Sequence, residues 1–323
     1  MTSRKILVTG ATGFVGRALV PRLVAEGWQV RAALRAPSRV LPAGVEATQI
    51  GEIGPGTDWR EALAGVDAVV HLAARAHILD EGSPDAFALY RAVNALGALT
   101  LAGAAAASGV RRFVFLSSVR AHGARTTGAP FTESSPLAAE DPYGRSKAEA
   151  EVGLARLAQG SELEPVVLRP PLVYGAEARG NFARLVELVG RGIPLPLGSV
   201  RNRRSILYVG NLVDAIVQSL RHPAAARDTF HLSDGEDVST AELVRRIARA
   251  LGRPARLVPV PPALLRLGGA LVGRRDDIAR LLDDLVVDSA HVRTTLGWTP
   301  RYTLDQGLAE ATAGLGADRK ASA

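Results

Sequence analysis

Two groups of residues in this sequence could do chemistry by their type and spacing. The first is Tyr143-Gly-Arg-Ser-Lys147, which sets a phenol and an ammonium four residues apart in a stretch of helical pattern. Positions i and i+4 share one helix face, so both groups can act at the same point. The chain has five tyrosines but only three lysines, and the other two, Lys5 and Lys320, lie near the termini. With 36 of 39 basic residues arginine, a lysine kept at 147 points to a need for a compact ammonium rather than a planar fork. The second group is Lys5 to Gly16, KILVTGATGFVG: an apolar run, glycines at 10, 13 and 16, then an amphipathic segment. It reads as strand, tight turn, helix. Gly10 permits the turn, Gly13 lets the backbone approach a pyrophosphate, and Gly16 lets the helix pack on the strand. The phosphates then meet unpaired N–H groups at the helix N-terminus. Loops collect glycine for steric reasons alone, so this anion site gains its weight from the Tyr-Lys pair downstream.

Elements that could position these groups follow in order. A first helix over 14–26 stops at Gly27, and a second strand covers Gln29 to Leu34. A third strand is read over 45–50, and a fourth over 68–73, in DAVVHLAA, which is apolar throughout. A long helix over 85–107 leads to a fifth strand, Arg112 to Leu116, with Ser117 and Ser118 at its C-terminal end, where open α/β sheets bind their ligands. The helix of Tyr143 runs to about Gln159, and Val166 to Arg169 is a sixth strand. Continuous apolar strands alternating with helices predict an α/β fold with a doubly wound parallel sheet. Beyond Pro170 turns and insertions concentrate, and a capping box at Ser239 to Glu242 opens a helix that Gly252 ends. We therefore expect a dinucleotide-binding domain over 1–170, joined by 203–225, and a smaller C-terminal lobe within 171–323 that binds substrate. The polar tail from Gly314 is expected to fray.

Composition removes several classes. A chain of 323 residues, 47% hydrophobic and 22% charged, can bury a substantial core. There is no cysteine, so disulfides and thiolate chemistry are excluded. The six histidines, at 71, 77, 122, 222, 231 and 291, lack metal-ligand spacing, and no metal is expected. The net charge of +7 suits anionic ligands, but the arginines are spread along the chain without interleaved aromatics, which argues against nucleic acid. The first strand begins at residue 5, leaving no room for a signal peptide, and the apolar patch over 263–272 is shorter than the roughly 20 residues of a bilayer span. We expect a cytoplasmic protein.

The end of the second strand selects the cofactor. An acid there would accept from the adenosine ribose hydroxyls of NAD, whereas NADP needs arginine for its 2′-phosphate. Arg35 and Arg39 stand there with no acid nearby in sequence, so NADP is expected, with NAD as the alternative.

The runs TGATGFVG, DAVVHLAA, FVFLSSV, YGRSK and LRPPLVYG, in this order, resemble the extended short-chain dehydrogenase/reductase family over almost the whole chain. PFTESSPLAAEDPYGRSKAEAE, GNFARLV, NRRSILYVGNLVDAI and VDSAHVRTTLGWTP resemble its nucleotide-sugar epimerase, dehydratase and 4-ketoreductase branch. The resemblance implies a Rossmann sheet and a catalytic triad of Ser118, Tyr143 and Lys147. Hydride can move between a nicotinamide and a carbonyl carbon only if the oxygen exchanges a proton in step, which a phenol can do. A free phenol titrates near 10, so working as a base at neutral pH requires a shift of about three units, or ~4 kcal/mol. The Lys147 ammonium is one source of that shift, and Ser118 would hydrogen-bond the same substrate oxygen.

The resemblance also assigns cofactor contacts to Gly10, Gly13, Phe14, Val15, Gly16, Arg35, Arg39, Glu52, Ile53, Ala73, Lys147 and Pro170. Glu52 stands where the family usually has Asp. Asn94 matches a helix asparagine of the family. Substrate contacts fall to Ser117, Arg120, Asn181 and Arg204, the last two at positions that meet a diphosphate. His122 and Arg120 depart from the family's usual residues and are expected to face the sugar pocket. The leading expectation is NADPH-dependent reduction of a UDP-4-keto-6-deoxy-hexosamine. The alternative is a UDP-hexose or UDP-N-acetylhexosamine 4-epimerase with bound NAD. Reduction of a small aromatic or steroid ketone, or a non-catalytic NADP sensor, are lesser readings. The substrate partner is a nucleotide sugar, and a homodimer through two long helices is implied.

Overall fold

Ile6, Leu7, Val8, Val69, Val70, Phe113, Val114 and Phe115 are fully buried, and such runs have no polar face to offer water. Strands of this kind must be covered on both sides, which only a parallel sheet between helical layers achieves. The computed structural model describes residues 4–38, 40–76 and 85–320, with side chains to 313. In chain order it contains β1 (Lys5–Thr9), α1 (Phe14–Ala25), β2 (Gln29–Leu34), β3 (Glu46–Gln49), α2 (Arg60–Leu63), β4 (Ala68–His71), α3 (Ala86–Tyr90), a π-helical segment (Arg91–Gly97), α4 (Ala98–Ala107) and β5 (Arg112–Leu116). Then come α5 (Pro142–Gln159), β6 (Glu164–Arg169), β7 (Leu172–Tyr174), α6 (Asn181–Gly190), β8 (Arg204–Tyr208), α7 (Val209–Arg221), β9 (Thr229–His231) and β10 (Asp237–Val238). The chain ends with α8 (Thr240–Ala250), α9 (Pro262–Leu271), α10 (Arg275–Leu282), α11 (Ala290–Leu296) and α12 (Leu304–Lys320), so the helix continues through the tail expected to fray.

Seven strands form one parallel sheet in the order β3-β2-β1-β4-β5-β6-β9. This is the doubly wound Rossmann arrangement that the sequence predicts. The order reverses between β1 and β4, so their C-terminal ends open a crevice into which Gly10 and Ala73 both project backbone. One core layer joins α1 and α7 to the sheet through Leu19, Leu23, Leu212 and Ile216; the other joins α4 and α5 through Leu101, Ala105, Ala150 and Leu154. The helix Ala86–Ala107 is long and apolar enough to cross a bilayer by length and composition, but Leu101, Ala102 and Ala105 are spent on this core.

Beyond β6 the chain builds a small sheet, β10-β8-β7, under α6, α8 and α12, with its own core around Phe182, Val186, Ile206 and Ile247. The chain returns to the large sheet at β9, and α7 packs on α1, so residues past 170 are shared between the two units.

Candidate active site

The glycine stretch forms a cradle that side chains would fill. Gly10 has φ +69°, and a Cβ there would lie 2.8 Å from the Ala73 nitrogen; a Cβ on Gly16 would lie 2.2 Å from the Gly10 carbonyl oxygen. Gly13 donates its N–H to that carbonyl at 3.0 Å and opens α1, which has no side-chain cap and no acid in its first turn. Phe14, Val15 and Gly16 thus present helix N-terminal N–H groups that no side chain claims, a fit for a pyrophosphate. Thr9 pins the far wall: its hydroxyl accepts from the Ala73 N–H at 3.2 Å and pairs with His71 Nδ1 at 2.7 Å. Burial, with help from the Lys147 cation, pushes the His71 pKa down to about 3, so this ring is neutral.

Ser118 and Tyr143 meet at the end of β5. Ser118 Oγ accepts from the Arg120 N–H at 3.2 Å, opening a single 3-10 turn over Val119–Ala121, and lies close enough to the Tyr143 phenol to lower its pKa. The Val119 N–H donates to the Pro170 carbonyl at 3.0 Å, which brings Pro170 to the same loop. Asp141 caps α5 by accepting from the Gly144 N–H at 2.9 Å, and Arg120 grips the same carboxylate at 2.9 Å. Gly144 lies so flat on this loop that a Cβ would stand 2.3 Å from the Arg120 carbonyl oxygen. Tyr143 is therefore fixed against Ser118 by one cap, one ion pair and one close backbone approach.

Lys147 is 1% exposed, donates to the Leu116 carbonyl at 2.7 Å, and lies 4.6 Å over the Phe115 ring. Burial pulls its pKa down to about 7, opposed by the Glu151 carboxylate. Tyr143 moves the other way, up to about 12: burial dominates, Ser118 and Arg120 lower it, and Asp141 and Tyr90 raise it. The expected lowering of Tyr143 by Lys147 is thus not expressed in the protein alone. The phenol is a proton donor here.

Three expectations are corrected. Ser117 does not face the cleft: it is 3% exposed and its hydroxyl donates to Glu151. Successive residues of an extended segment point to opposite sides, so only one of the two serines can meet substrate. His122 is buried as well, accepting from Arg169 at 2.9 Å and meeting His231 at 3.0 Å, and burial lowers both histidine pKa values. The third concerns Arg35. It is mostly exposed and pairs with the Glu52 carboxylate at 3.3 Å, so an acid does stand at the end of β2, supplied from beyond β3.

The remaining positions divide by place. Ile53 packs under the wide π-helical turn, where a Cβ on Gly97 would come within 2.6 Å of it. That turn carries the fully buried Asn94, which accepts from the Arg75 N–H at 2.8 Å and donates to Ser146 at 3.0 Å, tying the loop after β4 to α5. Arg39 lies outside the described residues. Arg204 begins β8, donates to the Asp283 carbonyl at 3.0 Å, and feels both the Asp283 and Arg120 charges, which brings the two arginines to one side of the site. Asn181 stands exposed at the first position of α6. A groove of about 880 Å³ between α6 and α8 includes none of Ser118, Tyr143 and Lys147.

Sequence reading missed Glu151 and Arg169. They form a buried ion pair behind the triad, with Arg169 Nε 3.0 Å from Glu151 Oε2. The signal was present, since Glu151 follows Lys147 by four residues on the same face of α5. Leu116 and Ser117 consequently hold Lys147 and Glu151 in turn, and two consecutive residues at the end of β5 set the register of the helix.

The chain and its fold have counterparts among known proteins. A UDP-glucose 4-epimerase from Vibrio cholerae is 44% identical over 308 residues, spanning 94% of this chain and 93% of its own. MoeE5, solved with UDP-glucuronic acid and NAD, superposes with a TM-score of 0.78 at 26% identity, over 98% of this chain and 99% of its own. A short-chain dehydrogenase/reductase superfamily protein from Agrobacterium tumefaciens with bound NAD gives 0.76 at 28% identity, over 99% of both chains. The glycine cradle, Ser118, Tyr143 and Lys147 and nearly all of the seven-stranded sheet fall within residues 6–233, the stretch that matches the NAD dependent epimerase/dehydratase family, and the chain belongs to that family.

Proposed function

We propose that the protein interconverts the C4 epimers of a UDP-linked hexose or N-acetylhexosamine and works with tightly held NAD. The observation that carries this reading is the Arg35–Glu52 pair at the ribose end of a cradle whose other end meets Ser118 and Tyr143. A carboxylate there can accept from ribose hydroxyls and repels a 2′-phosphate. The reductase expectation rested on Arg35 without an acid, and that ground is gone. The 44% identical UDP-glucose 4-epimerase and the NAD complexes of similar folds support the same choice.

When bound, NAD supplies a hydride acceptor and donor beside the sugar carbon. As the phenolate, Tyr143 would take the O4 proton as the hydroxyl becomes a ketone, and return it when the hydroxyl reforms. Ser118 holds the same oxygen through both changes. Lys147 supplies the nearby cation that the phenol needs to give up its own proton, and Glu151 opposes the burial that lowers that cation's pKa. Arg204 and Asn181 hold the diphosphate, leaving the sugar free to present either face.

Denaturing the purified protein and identifying the released dinucleotide tests the cofactor. Incubation with UDP-glucose and with UDP-N-acetylglucosamine, with products resolved by chromatography, tests the reaction. We expect NAD, a C4 epimer, and no net change in reduced-nicotinamide absorbance. Stoichiometric consumption of NADPH with a 4-keto sugar would sink the proposal. We also infer a homodimer through Ala86–Ala107 and α5, where Leu89 and Val152 are exposed, to be tested by sedimentation.

A further inference from the structure

Helix α9 is built the wrong way round for a core helix. Gly269 is its buried residue, lying so close to α10 that a Cβ would come within 2.5 Å of Ile278, and Leu265 packs on the lobe core. Leu264, Leu267 and Leu271 fall on the opposite side at i, i+3 and i+7, and they are 57%, 58% and 79% exposed; Val272, which ends the helix, is 69% exposed. A leucine stripe turned to water is costly, and a contiguous one marks a surface that meets something apolar.

Charge says what that is. From Arg253 to Arg275 the chain carries five arginines, at 253, 256, 266, 274 and 275, and no carboxylate. All five are exposed; the exposed Asp276 and Asp277 that follow offset part of this charge and Arg266 is paired with Asp283, which leaves the stretch around the leucines with a basic excess. A short amphipathic helix with leucines on one face and arginines around it suits the headgroup region of an anionic bilayer, where the apolar face enters the acyl boundary and the cations meet phosphates. A protein partner of matching acidity would need apolar surface of its own to cover the stripe. A bilayer offers both at once.

The helix is also tied to the catalytic side of the lobe. Arg266 on α9 binds the Asp283 carboxylate at 2.6 Å, and the carbonyl of the same Asp283 holds Arg204 at 3.0 Å. We propose that α9 docks this lobe onto an anionic membrane surface through Leu264, Leu267, Leu271 and Val272, with Arg253, Arg256, Arg274 and Arg275 on lipid phosphates. The inference does not depend on which sugar the enzyme takes.

Co-sedimentation of the full chain with sucrose-loaded vesicles tests it. Vesicles of equal parts phosphatidylglycerol and phosphatidylcholine should carry the wild type down at low salt, and raised salt should release it. The double variant Leu264→Ser/Leu271→Ser should lose at least about tenfold in partitioning while its turnover on a soluble UDP-sugar and its melting temperature stay unchanged. A wild type that stays in the supernatant overturns the proposal, and so does a variant that sediments as well as wild type. If the wild type is a larger oligomer that the double variant dissociates, a second copy of the chain covers α9 and the membrane is excluded.

Discussion

Arg35 and Glu52 sit 3.3 Å apart at the open end of the glycine cradle, although 17 residues separate them in the chain. Both side chains are about three-quarters exposed, so the pair adds little to stability. Its effect is on what can approach. The carboxylate offsets the positive charge of Arg35 that would otherwise attract an anion.

Glu52→Ala should therefore raise the affinity for NADP relative to NAD by at least about tenfold, measured by titrating each dinucleotide into protein freed of cofactor. Stability should change by less than about 0.5 kcal/mol. An unchanged ratio would show that Glu52 does not select the cofactor.

Tyr143→Phe should lower turnover by about 10² to 10⁴ while leaving dinucleotide binding intact. The phenol, raised to about 12, is a donor until substrate and cofactor are in place, so its loss removes the proton carrier without disturbing the cradle. Surviving turnover would assign proton transfer elsewhere.

Gly144→Ala places a methyl group 2.3 Å from the Arg120 carbonyl, and the start of α5 must move. A shift of about 1 Å at Tyr143 is worth roughly a hundredfold in rate. Comparing it with Arg120→Ala, which removes the ion pair but keeps the close approach, separates packing from charge. If Gly144→Ala keeps full turnover, the loop does not set the phenol's position.

Lys147 provides a pH test with a definite sign. Its pKa falls from 10.5 to about 7 on folding, chiefly through burial. Between those values the unfolded chain binds the extra proton, so this residue's contribution rises with pH across that window. It is fully present above about 10.5 and lost as pH falls through about 7. Lys147→Met, which does not titrate, should thus be more stable than wild type below about pH 7, with the gap closing toward alkaline pH in melting scans. A gap independent of pH would mean that Lys147 is not buried as a cation.

Sequence alone determined the elements that act locally. The turn at Gly10, the uncapped start of α1, the shared face of Tyr143 and Lys147 and the alternation of apolar strands with helices all follow from short-range sterics and periodicity, which neighbouring residues dictate. Only the tertiary structure decided which side chains from separate elements meet. Glu52 reaches Arg35 because β3 lies beside β2, and Ser117 turns from the cleft because Glu151 and Arg169 converge behind it. Asn94 reaches the loop after β4 because a π-helical turn widens the helix there. Such meetings depend on sheet order and helix register, quantities that belong to the assembled fold and to no single stretch of chain.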